Sequence, residues 1–442
     1  MKRPRKIIVI GAGAAGLYAA RDLSRERYDT TVIEARDRIG GRIYTLREAF
    51  CPVPIELGAE FVHGKSPELF ELVHQANLLL YDVTERHWFI REGELIKSRE
   101  FHEKLVDMLD QMKTRRTDES FQEFLDSFPD DLKSRITKSI ATEFIEGFHA
   151  ASLRTIGVNG LVRINEESEK IEGDRSFRVL NGYHQVIDYL YRELISHGGN
   201  IHFNTVVKEI CWEHHQVKVI TQSGDRSTTF EADQAIITLP IGVLQARPDE
   251  EGAVLFVPEL PKAKRDAIEQ IVMGNVLKII LVFQDRFWEH LTRGSGGEKV
   301  DFSEMAFMHN TEAWFPTWWS QLPVRSPLLV GWIGGPSALV DVDGNNILDH
   351  AMSSLAELLR LKPEEIRELL VSYFVHDWHS DPFSRGAYTY LPVDGLEAQH
   401  TLMKTVDDTL FFAGEATAVG HVGTVHGAIV SAERVIGEVL KS

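Results

Sequence analysis

The sequence predicts an α/β protein in which a parallel central sheet is joined to a second domain of mixed sheets and helices. The first observation is an apolar run, Lys6–Ile10, followed at once by Gly-Ala-Gly-Ala-Ala-Gly at residues 11–16. The second is an apolar helical stretch after these glycines. The third is Glu34, which ends the next strand-like run at residues 30–33. Strand, glycine turn, helix, strand and acid in this order are typical of a dinucleotide-binding unit.

Each residue of the glycine turn has a physical role in this interpretation. Gly11 makes the tight turn, Gly13 lets the backbone approach a pyrophosphate, and Gly16 lets the helix pack closely on the strand. Ala14 and Ala15 stand at the helix N-terminus, where free N–H groups and the positive end of the helix dipole favour phosphate. We therefore expect these five residues to contact the nucleotide.

The segment after the second strand extends the predicted nucleotide site. Glu34 can accept hydrogen bonds from a ribose diol. It is followed by Ala-Arg-Asp-Arg-Ile-Gly-Gly-Arg at residues 35–42. Arginines and a glycine pair beside a nucleotide turn suit neutralisation of a pyrophosphate. The contacts expected here are Ala35, Arg36, Gly41 and Arg42.

Composition limits the class of protein. The 442 residues are too many for one simple core, and 43% hydrophobic and 26% charged residues are ordinary for a soluble globular protein. The formal net charge of -18 favours solubility first, and secondly an attraction for cationic substrates and a repulsion of nucleic acid. No apolar run is long enough to span a bilayer, so we expect no membrane partner.

The expected location is the cytoplasm. Residues 1–6 resemble the basic start of a secretion signal, but the apolar stretch behind them is the nucleotide-binding strand, which cleavage would destroy. Only two cysteines occur, Cys51 and Cys211, so one disulfide is possible and a reduced cytosolic protein is favoured.

Periodicity divides the chain into two discontinuous domains. Apolar residues recur at helical spacing at Phe101, Leu105, Met108, Leu109 and Met112, and again at Phe121, Phe124, Leu125 and Phe128. Strands are expected at residues 201–203, 206–210, 217–220, 235–239, 276–283 and 328–333, and helices at 183–194, 347–361 and 424–440. The nucleotide-binding domain is predicted to comprise residues 1–82, 175–255 and 375–442, and the substrate domain residues 83–174 and 256–374.

Several further segments complete a family pattern. They are residues 34–42, 56–64, 204–210, 232–244, 378–388 and 411–428, in this order. Together with the glycine turn, this series resembles the FAD-dependent amine oxidases. The resemblance implies a two-domain fold with a Rossmann-like FAD-binding domain of the glutathione-reductase type, and FAD lying between the domains. Besides the residues already named, it implies cofactor contacts at Leu57, Gly58, Ala59, Glu60, Val207, Trp378, Gly414, Glu415, Gly423, Thr424 and Val425.

Lys278 is the most informative single residue. It stands in the strand-like run at residues 276–283, where both faces are apolar, so its side chain is expected to be buried whichever way it points. An ammonium is costly to bury unless it is paired or deprotonated. A snorkelling lysine at a sheet edge is the alternative. In the family, a lysine in such a strand holds a water against flavin N5, and the resemblance assigns that role to Lys278.

Two positions depart from the monoamine oxidases. Ala387 precedes Tyr388, where those enzymes carry a cysteine that is covalently attached to the flavin, so FAD is expected to bind non-covalently. Thr424 replaces their second cage tyrosine, which leaves Tyr388 as one wall and more room for a substrate. The resemblance also places His63 near the reacting amine, and Glu60, His63, Tyr388 and Thr424 among the substrate contacts.

These residues resemble those of polyamine oxidases and predict oxidation of spermine, spermidine or an acetylated polyamine. Hydride transfer to flavin N5 gives an imine, and O2 reoxidises the cofactor to yield H2O2. Glu166, Glu167 and Glu172 are weaker candidates to pair with distal ammonium groups. No metal is expected, and the protein is expected to be a monomer or homodimer.

Other functions remain open at this point. Histone demethylases share the features at Tyr388 and Thr424, although their targeting domain and long helical insertion are not found in this sequence. An L-amino-acid oxidase needs an arginine for the substrate carboxylate, and Glu60-Phe61 occupies the place of that arginine. A primary-amine oxidase and a non-catalytic flavin-binding scaffold are the remaining alternatives.

Overall fold

The computed structural model describes residues 4–91, 94–97, 106–295, 298–339 and 344–442. Two of the residues on which the helical pattern of the first insertion depends, Phe101 and Leu105, lie outside this set.

A five-stranded parallel sheet forms the centre of the nucleotide-binding part. All four neighbouring pairs are parallel. The strands, in spatial order, are Asn200–His202, Asp29–Ile33, Lys6–Ile10, Gln234–Ile237 and Leu410–Phe412. Three distant parts of the chain therefore supply the strands of this one sheet.

Three helices cover one face of the parallel sheet. Ala14–Arg25, His184–Ser196 and Val425–Val439 contribute buried aliphatic residues to one cluster with the inward side chains of strand Lys6–Ile10. Leu17, for example, is fully buried. Burial of this apolar surface holds the glycine turn between strand and helix in place.

The second large sheet is mixed and has seven strands. Their spatial order is Leu370–Val375, Val276–Phe283, Leu328–Gly334, Thr317–Ser320, Phe307–His309, His87–Arg91 and Glu94–Lys97. Every residue of Val276–Phe283 is buried, because this strand has a neighbour on each side and helix Gly344–Leu359 contributes to the apolar cluster on one of its faces.

Smaller sheets and helices connect the two layers. The remaining strands form five small sheets. One has four strands, in the order Arg226–Ala232, Gln216–Ser223, Val206–Glu213 and Leu255–Val257, and one has three, in the order Val62–His63, Ser176–Val179 and Leu80–Asp82. The other three are two-stranded and pair Val272–Gly274 with Tyr388–Tyr390, Thr45–Leu46 with Ile55–Glu56, and Thr292–Ser295 with Glu298–Asp301. The other α-helices are Pro67–Gln75, Phe121–Asp126, Leu132–Glu143, Val158–Lys170, Ile241–Leu244, Lys262–Gln270, Pro363–Leu369 and Gly395–Met403. Short 3-10 helices occur at Gln111–Thr114, Phe287–His290, Phe302–Glu304, Gly335–Ala338 and Glu415–Thr417.

The described residues contain no helix that is both long and apolar enough to cross a bilayer.

The sequence pattern located most elements. The predicted strand at 276–283 is confirmed to the residue, and the last helix, Val425–Val439, lies within the predicted range 424–440. The predicted helical insertion is broken into Phe121–Asp126, which starts with a capping box between Ser120 and Glu123, and Leu132–Glu143. Leu132–Glu143 continues into a π-helical turn, Phe144–Phe148. Single π-helical turns are rare and concentrate at functional sites.

Gly16→Ala tests the close packing of the first helix. A Cβ at Gly16 would lie 1.9 Å from the carbonyl oxygen of Gly11, so strand and helix must separate. We expect a loss of about 1–3 kcal/mol in the free energy of unfolding and loss of bound nucleotide on gel filtration.

The matched control is Gly437→Ala in the last helix, where a Cβ meets no heavy atom within 4 Å. This variant should keep its nucleotide and gain up to about 1 kcal/mol. Equal behaviour of the two variants would contradict the packing argument.

Candidate active site

One cavity of about 710 Å³ lies between the glycine turn and the seven-stranded sheet. Every residue of the glycine turn and of the family pattern that was expected to contact cofactor or substrate lines this cavity, with the exception of Gly16. Gly16 packs against the backbone of Gly11 instead. The fold therefore brings segments that are more than 400 residues apart in sequence to a common surface.

Glu34 connects the glycine turn to the segment that follows it. Its Oε2 accepts a hydrogen bond from the backbone N–H of Ala12 at 2.7 Å, and its Oε1 accepts one from the N–H of Arg36 at 2.9 Å. The residue is 4% exposed. These bonds fix the carboxylate at the edge of the cavity, where the fingerprint predicts a ribose contact.

The two arginines after Glu34 are each engaged by a carboxylate. Arg36 donates to Asp381 Oδ1 at 2.6 Å, and Arg42 donates to Glu415 Oε1 at 2.9 Å. A guanidinium has five N–H donors, so both residues keep donors beyond these bonds. The arginines are thus oriented by their carboxylate partners before any phosphate is bound.

Glu415 joins three cavity segments. Besides the bond from Arg42, its carboxylate accepts hydrogen bonds from the Thr389 hydroxyl at 2.8 Å and from the Gly423 N–H at 2.9 Å. The sequence analysis expected Glu415 to contact the cofactor. The structure shows that its carboxylate oxygens already hold these cavity segments together.

Lys278 is buried, as predicted, and the snorkelling alternative is excluded. It is 4% exposed in the middle of its strand. Its Nζ donates to Glu60 Oε2 at 2.7 Å and to the Gly58 carbonyl oxygen at 3.3 Å. An ammonium carries three N–H donors, so one remains for the cavity.

Glu60 is the partner that makes burial of Lys278 possible. Its Oε1 accepts hydrogen bonds from Arg178 Nε at 2.8 Å, Trp319 Nε1 at 3.1 Å and Gln321 Nε2 at 3.1 Å. Burial alone would raise the pKa of Glu60, but Lys278 and Arg178 outweigh it and lower the pKa to about 2. Glu60 is therefore an ionised structural anion whose oxygens are already bound, which leaves little capacity for a substrate ammonium.

Two aromatic side chains form a rigid wall. The Tyr388 hydroxyl donates to the Phe148 carbonyl oxygen at 2.7 Å, and Trp378 Nε1 donates to the Leu57 carbonyl oxygen at 3.0 Å. Burial raises the pKa of the Tyr388 phenol, so this hydroxyl stays protonated. Both rings are thus held by their polar atoms, and their faces are available to the cavity.

Two histidines in the cavity are kept neutral by burial. Desolvation lowers the pKa of His63 to about 4 and the pKa of His149 to about 4. His63 packs edge-on against the ring of Phe148, with ring centroids 5.4 Å apart. A neutral imidazole can accept a proton or a hydrogen bond from an amine.

Thr424 has a structural bond that the sequence analysis did not predict. Its Oγ1 accepts a hydrogen bond from the Gly427 N–H at 3.0 Å and donates to the His421 carbonyl oxygen at 2.7 Å. The hydroxyl therefore caps the last helix, and the contribution of Thr424 to the cavity is its small size.

The weaker acidic candidates lie elsewhere. Glu166 and Glu167 pair with Arg163, and Glu172 pairs with Lys65. None of the three lines the cavity.

The polar cavity side chains that sequence reasoning missed include Glu85, His87, Glu143 and His309. They lie on three separate segments, so no local pattern could have grouped them. In the seven-stranded sheet, His87 is the register partner of Phe307 on the neighbouring strand. His309 follows Phe307 by two residues on that strand.

A family profile described as flavin containing amine oxidoreductase matches residues 14–440. The chain belongs to this family. The predicted fold, enzyme class and FAD cofactor are thereby confirmed.

Relatives of this amine oxidoreductase include two kinds of enzyme. Polyamine oxidase 2 of Arabidopsis thaliana is 28% identical over 457 residues, which cover 96% of this chain and 86% of the relative. Lysine-specific histone demethylase 2 of Homo sapiens is 28% identical over 460 residues, which cover 97% of this chain but 53% of the relative. The chain thus spans about half the length of the human enzyme. The structure of wild-type putrescine oxidase bound to putrescine superposes with a TM-score of 0.81 at 20% identity, with 100% of each chain covered.

The residues of this amine oxidoreductase fit a flavin dinucleotide. Helix Ala14–Arg25 begins without a side-chain cap, so its first N–H groups are open to phosphate. A Cβ at Gly13 would meet no heavy atom within 4 Å, which leaves space beside these groups. Neither Cys51 nor Cys211 lines the cavity, so the chain offers no thiol there for attachment of the flavin.

Proposed function

We propose that this enzyme oxidises a polyamine, in the class of spermine, spermidine or acetylated polyamines. The observation that carries the proposal is the charge of the cavity. Five glutamates line it against three basic side chains, Arg36, Arg42 and Lys278, each of which is paired with a carboxylate. An excess of negative charge along the lining that the structure describes favours a long organic cation. The Arabidopsis polyamine oxidase among its relatives supports this choice.

The proposed reaction divides between cofactor and protein. The flavin, when bound, accepts the hydride and passes the electron pair on. The α-carbon of the substrate loses that hydride and its nitrogen loses a proton, which leaves an imine that water hydrolyses to an aldehyde and a shorter amine. Dioxygen takes the electron pair and two protons and becomes hydrogen peroxide.

The protein orients the amine. The rings of Tyr388 and Trp378 hold the substrate in place, since hydrogen bonds to the Phe148 and Leu57 carbonyl oxygens fix both rings. Burial lowers the pKa of His63 to about 4, so the imidazole stays neutral and can accept a hydrogen bond from the substrate amine. The free N–H of Lys278 positions a water in the cavity. These assignments are proposals that follow from the geometry.

An L-amino-acid substrate is disfavoured by the same cavity. Its carboxylate needs an arginine beside the reacting centre, and the arginines that line the cavity among the described residues are Arg36 and Arg42, which are expected at the pyrophosphate. A methyl-lysine peptide is the second candidate, because a histone demethylase stands among the relatives at the same identity.

The test is an anaerobic screen of the holoenzyme for bleaching of its flavin. Spermine, spermidine, N-acetylspermine, benzylamine, L-leucine and a dimethyl-lysine peptide are each mixed with the enzyme. We expect a polyamine to bleach the flavin at the lowest concentration. Faster bleaching by L-leucine, benzylamine or the peptide would overturn the polyamine assignment in favour of the corresponding class.

Lys278→Met tests the proposed role of the buried lysine. Glu60 keeps Arg178, Trp319 and Gln321 as donors, so we expect FAD to stay bound. Loss of an ordered water beside the reacting centre should slow flavin reoxidation or turnover by about a hundredfold, measured by stopped-flow absorbance for each half-reaction.

Lys264→Met is the matched control. Lys264 is equally buried, at 3% exposure, but its Nζ donates to the backbone carbonyl oxygen of Leu402 at 2.8 Å and does not line the cavity. This variant should lose stability and keep both half-reactions. Unchanged kinetics of both half-reactions in Lys278→Met would refute the assignment.

A further inference from the structure

Glu143 differs from the other carboxylates of the cavity. The other four are engaged by a bonded partner: Glu34 by the N–H groups of Ala12 and Arg36, Glu60 by Lys278 and Arg178, Glu85 by His87, and Glu415 by Arg42. Both oxygens of Glu143 are shielded from solvent, and neither has a hydrogen-bond partner among the described residues. Its side chain is 13% exposed.

A chain of two imidazoles leads from Glu143 to Glu85 at the more exposed end. His309 Nδ1 lies 3.2 Å from Glu143 Oε1, and His309 Nε2 lies 3.0 Å from His87 Nδ1. His87 Nε2 then lies 3.0 Å from Glu85 Oε2. The side chain of Glu85 is 42% exposed, so its end of the chain is open to water.

The imidazole chain does not satisfy Glu143. The aligned partner of His309 Nδ1 is Thr317 Oγ1, at 3.3 Å. If His87 donates its Nε2 proton to the carboxylate of Glu85, the Nδ1 of His87 is a hydrogen-bond acceptor. His309 with a single ring proton then donates that proton from Nε2 to His87 Nδ1. The Nδ1 lone pair of His309 then faces Glu143, and in the opposite tautomer the Nδ1 proton is aligned with Thr317. Glu143 therefore lacks a donor in either arrangement.

A shielded carboxylate without a donor is costly, and a cationic ligand removes that cost. An ammonium group fits this position because it supplies both positive charge and up to three N–H donors. The cavity side of Glu143 is the direction from which such a ligand can reach it.

The backbone ties Glu143 to the aromatic wall. Glu143 ends helix Leu132–Glu143, and the π-helical turn Phe144–Phe148 follows directly. That turn is held at its far end by the hydroxyl of Tyr388, which donates to the Phe148 carbonyl oxygen, and by Trp332, whose Nε1 donates to the Gly147 carbonyl oxygen at 2.8 Å. The anion and the aromatic wall thus stand at a fixed separation.

We propose that Glu143, backed by His309, is a second cation subsite that binds the distal ammonium of the substrate while the reacting nitrogen lies at Tyr388. The inference rests on the proposed function, which it deepens: the enzyme selects amines that carry a second positive charge. The imidazole chain to Glu85 keeps His309 oriented toward the subsite.

The test compares Glu143→Gln with the wild-type holoenzyme on two amines. Spermidine carries terminal ammonium groups, and N-propylbutylamine has the same carbon and central-nitrogen skeleton without them. Loss of one charge-assisted hydrogen bond should raise the Kd for spermidine about 10- to 100-fold, measured by anaerobic calorimetry on holoenzyme whose flavin has first been reduced, so that no turnover follows binding. The Kd for N-propylbutylamine and the rate of flavin bleaching at saturating spermidine should not change.

Glu146→Gln is the matched control. Glu146 stands three residues after Glu143, within the π-helical turn, and does not line the cavity. This variant should bind both amines as the wild type does. Equal losses for the two amines in Glu143→Gln, or an unchanged Kd for spermidine, would overturn the subsite.

Calorimetry and bleaching separate the two claims. If spermidine binds in a Glu143-dependent way but bleaches no flavin, the subsite stands and the proposed function fails. If spermidine bleaches the flavin and its Kd is the same for the wild type and Glu143→Gln, the proposed function stands and the subsite fails. If spermidine neither binds nor bleaches, both fail.

Discussion

The cavity depends on one buried anion, Glu60. Its carboxylate is shared by Lys278 from the seven-stranded sheet and Arg178 from the small sheet beside His63. Two cations and one carboxylate are removed from water together, so each needs the others to avoid the cost of an unpaired buried charge. The interaction therefore fixes the position of the segment at residues 56–64 relative to both sheets.

The same arrangement recurs at the other end of the cavity. There Glu415 binds Arg42, Thr389 and the backbone of Gly423, and so unites the segments on either side of the aromatic wall. Two glutamates thus act as internal braces, and both are saturated by donors. Glu143 is also a carboxylate of the cavity, but no described residue donates a hydrogen bond to its oxygens. We therefore assign it to ligand binding, whereas Glu60 and Glu415 hold protein segments together.

What the sequence could predict followed from local rules. The glycine turn, the acid after the second strand and the buried strand around Lys278 are each contained in a short segment, because strand and helix periodicity and turn geometry are local properties. The family resemblance extended this to distant segments, and nearly all residues that it named do meet in one cavity.

What the sequence could not predict were side-chain partners. Glu60 was expected to contact cofactor and substrate, yet its oxygens are taken by Lys278, more than 200 residues away, and by Arg178. The chain from Glu85 to Glu143 likewise depends on the register between separate strands of a sheet. Pairings of this kind are set by tertiary packing, so neither periodicity nor composition carries them.

A double-mutant cycle on Glu60 and Lys278 tests the central interaction most directly. Unfolding of the holoenzyme is followed by tryptophan fluorescence and flavin release for Glu60→Gln, Lys278→Met and the double variant. We expect Glu60→Gln to cost about 3–5 kcal/mol, because it leaves two buried cations. Adding Lys278→Met to Glu60→Gln should recover part of the lost free energy of unfolding. The coupling free energy between the two residues should be about 1–3 kcal/mol. Effects that add to within about 0.5 kcal/mol would show that the two residues do not act as one buried unit.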